Sequence, residues 1–140
     1  MASNSSTADL RTFIGQIEEL GQLRRIEGAD WNVEIGAITE CVSDKEGPAL
    51  LFDAIKDYRK GWRILTNVFR THERFALATG LPTGVHGIEL LDIWRKKFKA
   101  FEPFPSTEVP DGPVFENKMT GEDVDLSLFP APKWHEDATR

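Results

Sequence analysis

Cysteine and long apolar runs are scarce in this sequence, and each shortage excludes a class of protein. The 140 residues contain one cysteine, Cys41, which excludes an internal disulfide and a zinc site built from several cysteines. No apolar run approaches the roughly 20 residues that a membrane-spanning helix requires. Because Cys41 falls within a helical pattern, we expect it to be a small buried side chain and not a reactive thiol.

Positive charge is also in deficit. Seventeen Lys and Arg residues stand against 23 Asp and Glu residues, which gives a formal net charge of −6. Phosphate and anionic lipid contacts both require a cationic surface, so we expect neither nucleic acid nor a membrane as a partner. Residues 1–8 lack the basic and apolar regions of a secretory signal. We therefore expect a disordered, Ser-rich leader over residues 1–8 and a cytoplasmic protein.

The apolar pattern predicts alternating helices and short strands. Leu10, Phe13, Ile14, Ile17 and Leu20 share one face of a first helix, with Thr7 as N-cap and Gly21 at its end. A small α/β (α+β) domain, with helices packed on a short mixed sheet, is expected over residues 9–100. A second helix is expected after Asp30 or Asn32, and a third between Thr71 and Gly80. A fourth is expected over residues 87–99, with a stripe of Ile88, Leu91, Trp94, Arg95 and Phe98. Strands are expected over residues 23–27, 49–52 and 62–67.

Composition changes at residue 100, because six of the eight prolines lie in residues 101–140. Proline fixes φ and removes a hydrogen-bond donor, so this segment is expected to be an extended crossover. Within it, residues 113–117 suggest a strand and residues 121–129 a short helical turn. Its large apolar side chains need a surface to pack on: Phe101, Phe104, Phe115, Leu126, Leu128, Phe129 and Trp134.

Motifs for catalysis or metal binding are few. The chain has no glycine-rich phosphate loop, no Gly-x-Ser-x-Gly and no Cys/His pair at ligand spacing. His72 and His86 are expected at the surface near helix starts. His135, followed by Glu136 and Asp137, could hold a metal or act in acid–base chemistry. Only His135 and Asp137 share a side of an extended chain, and two ligands do not make a metal site. A structural role for His135 is favoured.

Clusters of charge have an ordinary explanation as solvated surface. This applies to Arg24 and Arg25 on a strand, and to Glu34 and Glu40, which point in nearly opposite directions on a helix. The cations at the end of the 87–99 helix are better explained by a favourable interaction with the negative end of the helix dipole than by a nucleic-acid binding patch. These cations are Arg95, Lys96, Lys97 and Lys99.

A series of segments, in the same order along the chain, resembles the opening of UbiD-type decarboxylases. The similarity covers nearly the whole chain. The segments are Asp-Leu-Arg-Thr-Phe-Ile at 9–14, Leu-Gly-Gln-Leu-Arg-Arg-Ile at 20–26, Glu-Ile-Gly-Ala-Ile-Thr-Glu at 34–40, Gly-Pro-Ala-Leu-Leu-Phe at 47–52, Gly-Trp-Arg-Ile-Leu-Thr-Asn at 61–67, Ala-Leu-Ala-Thr-Gly-Leu-Pro at 76–82, Asp-Val-Asp-Leu at 123–126 and Phe-Pro-Ala-Pro-Lys-Trp-His at 129–135.

The resemblance implies a specific chemistry. Members of that family reversibly decarboxylate aromatic or α,β-unsaturated carboxylic acids with prenylated FMN, a divalent metal (Mn or Mg) and commonly K⁺. An N-terminal α/β domain precedes a split β-barrel that binds the flavin, and a C-terminal domain drives oligomerisation. Residues 101–140 would then be a linker and the incomplete start of the barrel. Where the family usually has Asp-Gly-Gly-Arg, this chain has Asp137-Ala138-Thr139-Arg140, so the turn there is expected to differ.

The resemblance also implies that the chemistry lies outside this chain. The family's catalytic Glu–Arg–Glu and its Asn/His/Glu metal set lie beyond Arg140, so no catalytic, cofactor-binding or metal residue is assigned here. The 140 residues alone are expected to be inactive and to bind no cofactor. Expected partners are the rest of the enzyme, further copies of it and a small aromatic acid. The alternative is a stand-alone, non-catalytic module that binds a partner protein supplying the barrel.

Overall fold

The computed structural model describes residues 9–136 and confirms a small α/β fold with a mixed sheet. The predicted leader (residues 1–8), Thr7 and Asp137 lie outside the described residues. The α-helices and strands are α1 (Leu10–Glu19), β1 (Leu23–Glu27), α2 (Glu34–Ser43), β2 (Ala49–Asp53), β3 (Ile64–Thr66), α3 (His72–Thr79) and α4 (Gly87–Lys99). Short 3-10 helices follow at Pro113–Phe115, Gly121–Asp123 and Leu126–Leu128. No helix of this described part is long and apolar enough to cross a membrane.

The sheet has the order β1-β2-β3, with β2 in the centre. β1 runs parallel to β2 with Leu23 opposite Ala49, and β3 runs antiparallel with Leu65 opposite Leu51. Because β2 is covered on both faces, residues 49–52 are all buried. A continuous apolar run of this length is typical of a central strand.

Side chains of β2 alternate between two cores. Leu50 and Phe52 pack in one core with Ile35 of α2. Ala49 packs in the other with Phe13 and Ile17 of α1. Since successive strand residues point to opposite faces, α1 and α2 lie on opposite sides of the sheet. The predicted apolar face of α1 is therefore correct at its centre, while its end residues Leu10 and Leu20 are exposed.

Local capping signals define most helix ends. The carboxylate of Asp9, and not Thr7, caps α1 by accepting from the Thr12 N–H at 2.7 Å. Gly21 follows α1 with a φ of 68°, and Gly80 ends α3 in the left-handed conformation, as predicted. Thr71 caps α3 through its side chain, which is also as predicted.

The start of α2 differs from prediction, because neither Asp30 nor Asn32 caps it. Val33 holds the N-cap position without a side-chain hydrogen bond and with a φ of 70°. The Asp30 carboxylate instead accepts from the Asn32 N–H at 2.9 Å, and Glu34 accepts from the Asp30 N–H at 2.7 Å. A positive φ at a β-branched residue is strained, so surrounding contacts must hold this turn in place.

Four other sequence predictions need correction. Cys41 is exposed, because α2 turns Ile35 and Thr39 inward in place of the cysteine. The strand predicted over 62–67 is limited to β3, where three residues pair with β2. Residues 113–117 begin as a 3-10 helix and not as a strand, whereas the helical turn over 121–129 is confirmed as two 3-10 helices. The buried side of α4 is centred on Leu90, not on the predicted stripe.

Acidification is expected to weaken the turn before α2 through Asp30. Hydrogen bonds from the Lys56 ammonium, 2.6 Å away, and from the Asn32 N–H lower the pKa of Asp30 below its ordinary value of 3.8. A depressed folded-state pKa gives stability that is present above pH 3.8 and is lost as the pH falls through the folded-state pKa. Urea unfolding between pH 5 and pH 2.5 should therefore show that the free energy of unfolding falls more steeply with pH in wild type than in Asp30→Asn. The same dependence on pH in both proteins would contradict this.

Candidate functional site

One side of α4 packs on α3, and this contact holds the helix in place. Leu90 is buried against Ala76 and Leu81, and the rings of Phe75 and Trp94 meet edge to face with centroids 5.6 Å apart. The Lys97 ammonium donates to the last carbonyls of α3, at Thr79 and Gly80. Lys97 therefore completes the C-terminus of a neighbouring helix.

A second side of α4 carries exposed apolar side chains, with the exposed Arg95 between Leu91 and Phe98. Ile88, Leu91 and Phe98 are 81%, 55% and 68% exposed, and Phe101 follows directly after the helix with its ring also exposed. We call these four residues the docking strip. Several large apolar side chains exposed on one side of a helix are typical of a protein interaction site.

Residues 101–136, which we call the strap, leave α4 and return to α2. Most of the strap is exposed, and it contains only 3-10 helices as regular structure. At its end, the Lys133 N–H donates to the Trp31 carbonyl and the Val33 N–H donates to the Lys133 carbonyl, both at 2.9 Å. The Pro-rich segment is thus attached at both ends, and its second attachment holds the strained Val33.

Gly36 makes the return of the strap possible. A Cβ at this position would lie 2.3 Å from the carbonyl oxygen of Trp134 and 3.0 Å from its Cα and carbonyl carbon. Only a residue without a side chain permits this approach of two backbones. The contact fixes the strap against the first turn of α2.

Glu40 of α2 binds the end of the strap through side chains. Its Oε1 accepts from the Trp134 indole N–H at 3.1 Å and lies 3.3 Å from Nε2 of His135. Glu34 and Glu40 are both exposed, as predicted, and only Glu40 contacts the strap in this way. The geometry is consistent with a structural role for His135, whereas its predicted neighbour Asp137 lies outside the described residues.

A polar cleft of about 690 Å³ opens where β1, β2 and α3 begin. Three arginines and two histidines supply most of its hydrogen-bond donors: Arg24, Arg70, Arg74, His72 and His86. Gly21, Gln22, Glu46, Gly47, Pro48, Thr71 and Glu73 complete the lining.

Arg74 forms the floor of the polar cleft and is 1% exposed. Its guanidinium donates to three backbone carbonyls and to the side chain of Gln22, at 3.0–3.2 Å. Burial lowers the pKa of Arg74, and the charge of Glu73 opposes that change. The carbonyls are those of Gly47, Asn67 and Val68.

His72 and His86 meet across the rim of the polar cleft, a contact that no sequence pattern predicts. Their ring centroids are 5.8 Å apart, edge to face, and both side chains are exposed, as predicted. His72 is the first residue of α3, and His86 is the N-cap of α4. The packing of the two helices brings their N-termini together.

Residues 9–136 contain no grouping of three His, Cys, Asp or Glu side chains that could hold a metal ion. What they do present is an α/β scaffold, an exposed docking strip and a strap. These features define a class of protein, the small α/β domain with an exposed apolar surface.

Comparison with known proteins identifies the family. The family model of the 3-octaprenyl-4-hydroxybenzoate carboxy-lyase N-terminal domain (UbiD_N) matches residues 14–94. The chain belongs to this family. The resemblance inferred from its ordered segments is therefore confirmed for the N-terminal portion.

Two proteins similar to this chain are named as decarboxylases. Pyrrole-2-carboxylic acid decarboxylase of Pseudomonas aeruginosa is 37% identical over 141 residues, a match that covers 95% of this chain and 28% of that protein. Vanillic acid decarboxylase of Sedimentibacter hydroxybenzoicus superposes in its closed form with a TM-score of 0.70 at 24% identity, covering 89% of this chain and 27% of that one. The open form gives a TM-score of 0.53 at 29% identity, with 69% and 21% covered. The chain therefore spans less than a third of these relatives.

Proposed function

We propose that this chain is the N-terminal domain of a cytoplasmic, prenylated-FMN-dependent decarboxylase acting on aromatic or α,β-unsaturated carboxylic acids. The observation that carries the proposal is the family match over residues 14–94. The two relatives are named for aromatic acids, pyrrole-2-carboxylic and vanillic acid, so the substrate class we propose is a small aromatic acid.

In the proposal, residues 9–100 form the domain and residues 101–140 lead into the flavin-binding split barrel. The prenylated flavin, when bound with Mn or Mg and K⁺, would supply the electron sink needed as CO₂ leaves. The described residues contain no group of three His, Cys, Asp or Glu side chains that would hold its metal ion. We therefore assign none of them to the flavin or its metal, and we expect the chain alone to be inactive.

The part we assign to this chain is mechanical. The docking strip packs against the rest of the decarboxylase, which assembles as a homo-oligomer, and the strap sets where the following domain begins. Fully burying an apolar side chain contributes about 1.5–3 kcal/mol, so even three side chains of the strip would hold two domains in register.

A second candidate is a separate module whose docking strip binds a partner protein that supplies the barrel. The exposure of the strip favours an interaction in either case. The intact mass of the native protein separates the two, since a mass several times 15.8 kDa would support the domain of a longer enzyme. A native mass of 15.8 kDa would support the separate module.

The enzyme test uses the native protein produced together with a source of prenylated FMN. We expect flavin absorbance in the purified protein and CO₂ release from pyrrole-2-carboxylate or vanillate. Residues 1–140 alone are expected to release none. A native protein that never takes up flavin would overturn the proposal, and decarboxylation by residues 1–140 alone would overturn our placement of the chemistry.

A charge placed on the docking strip should separate this domain from the rest of the enzyme. In Leu91→Glu/Phe98→Glu, loss of two apolar contacts is expected to lower decarboxylase activity at least about tenfold. Circular dichroism of residues 1–140 should not change, because both side chains are exposed. Val109→Glu, at a comparably exposed apolar residue of the strap, is the matched control. Equal activity in both variants would contradict a docking role.

A further inference from the structure

The walls of the polar cleft are held in place without any ligand. Gln22 accepts from Arg74 and from Thr71, and its amide group donates to Glu73. Arg74 in turn binds the turn before β2 through the Gly47 carbonyl. The network joins three elements that are far apart in sequence, so the shape of the cleft is set by the fold.

Two guanidinium groups of the polar cleft are available to a ligand. Arg70 is exposed and uses Nε to donate to the Ser43 carbonyl at 3.0 Å, which fixes the plane of its guanidinium. Among residues 9–136, no carboxylate pairs with Arg24. Its neighbour Arg25 lies on the other face of β1 and pairs with Glu18 at 2.8 and 2.9 Å.

The rim adds further donors. α3 and α4 both begin at the polar cleft, with His72 and His86 in ring contact. A helix N-terminus presents backbone N–H groups and a partial positive charge to an anion. The lining has three arginines against two glutamates, Glu46 and Glu73, so the cations exceed the anions by one in a chain of net charge −6.

We propose that the polar cleft binds a small organic phosphate, with the phosphate group held by Arg24 and Arg70 and flanked by His72 and His86. Guanidinium groups bind phosphate in a two-pronged manner, and a dianion uses both of them. A volume of about 690 Å³ exceeds the space that a phosphate group alone requires and is typical of a small-molecule site. The inference rests on residues 9–136 and does not depend on the decarboxylase activity.

Titration of residues 1–140 tests the site. Isothermal titration with inorganic phosphate and with ribose 5-phosphate should show binding of both, and the sugar phosphate should bind more tightly because it fills more of the cleft. In NMR spectra, the imidazole signals of His72 and His86 should shift, and that of His135 should not. Tighter binding of free phosphate would assign the site to the inorganic ion and overturn the organic ligand. Absence of any shift at His72 and His86 would overturn the location.

Two arginine variants separate a built site from general charge attraction. Arg24→Gln should weaken phosphate binding about tenfold, the value of one charge-assisted hydrogen bond. Arg25→Gln removes the same charge from the adjacent residue of β1 and should leave binding unchanged. Equal weakening in the two variants would overturn the proposal, as would benzoate binding as tightly as ribose 5-phosphate, since that would make the cleft a carboxylate site.

Discussion

Replacing Arg74 by methionine is expected to lower the free energy of unfolding by about 3 kcal/mol or more. The guanidinium is buried, and it supplies the donors for the carbonyls of Gly47, Asn67 and Val68. Without it, these half-buried carbonyls each lose a donor, and Gly47 keeps only the Asn67 side-chain amide at 3.1 Å. Each group left unsatisfied costs about 1–3 kcal/mol. Urea unfolding of residues 1–140 measures the change as a lower midpoint. Because small domains are only marginally stable, this one substitution would remove a large part of the total free energy of unfolding.

Arg70 provides the comparison for Arg74. It lines the same polar cleft, but it is exposed and makes one backbone hydrogen bond, to Ser43. Arg70→Met should therefore cost less than about 1 kcal/mol. Arg74→Lys should be nearly as damaging as Arg74→Met, because an ammonium cannot match the planar, forked donors of a guanidinium. Similar midpoints for Arg70→Met and Arg74→Met would show that the buried network does not stabilise the fold.

The elements that could be predicted from the sequence are those with local signals. β1 and α4 have the predicted bounds, residues 23–27 and 87–99. Gly21 and Gly80 end their helices, because glycine adopts the left-handed conformation at little cost. The apolar run at 49–52 predicted a buried strand for a similar reason, since a central strand is covered on both faces. These signals involve residues within a few positions of each other.

What could not be predicted depends on contacts between distant residues. The helical pattern of α4 holds apolar residues on two adjacent sides, and only the position of α3 decides that Leu90 is buried and Leu91 is not. Arg74 has the sequence context of an ordinary helix surface, and its burial follows from the turn before β2. The contact of His72 with His86 likewise results from packing of two helix starts.

Gly36→Ala is expected to detach the end of the strap from α2. The new Cβ would lie 2.3 Å from the carbonyl oxygen of Trp134. Because this is a backbone atom, a change of side-chain rotamer cannot relieve the clash. The hydrogen bonds of Lys133 to the α2 turn would be lost together with the contacts of Trp134 to Glu40. Crowding of this kind costs about 1–3 kcal/mol. A red-shifted tryptophan emission and faster proteolysis within the strap would measure the detachment.

Gly15→Ala is the matched control, because it makes the same substitution in α1. Outside the backbone of α1 itself, no atom of residues 9–136 lies within 4 Å of the added Cβ there. Alanine in a helix interior is favoured over glycine by about 0.5–1 kcal/mol, so this variant should gain stability while the strap stays attached. The two substitutions therefore have opposite expected signs. If Gly36→Ala were also stabilising, the strap would not lie against α2, and in the proposed enzyme it would not set the position of the domain that follows.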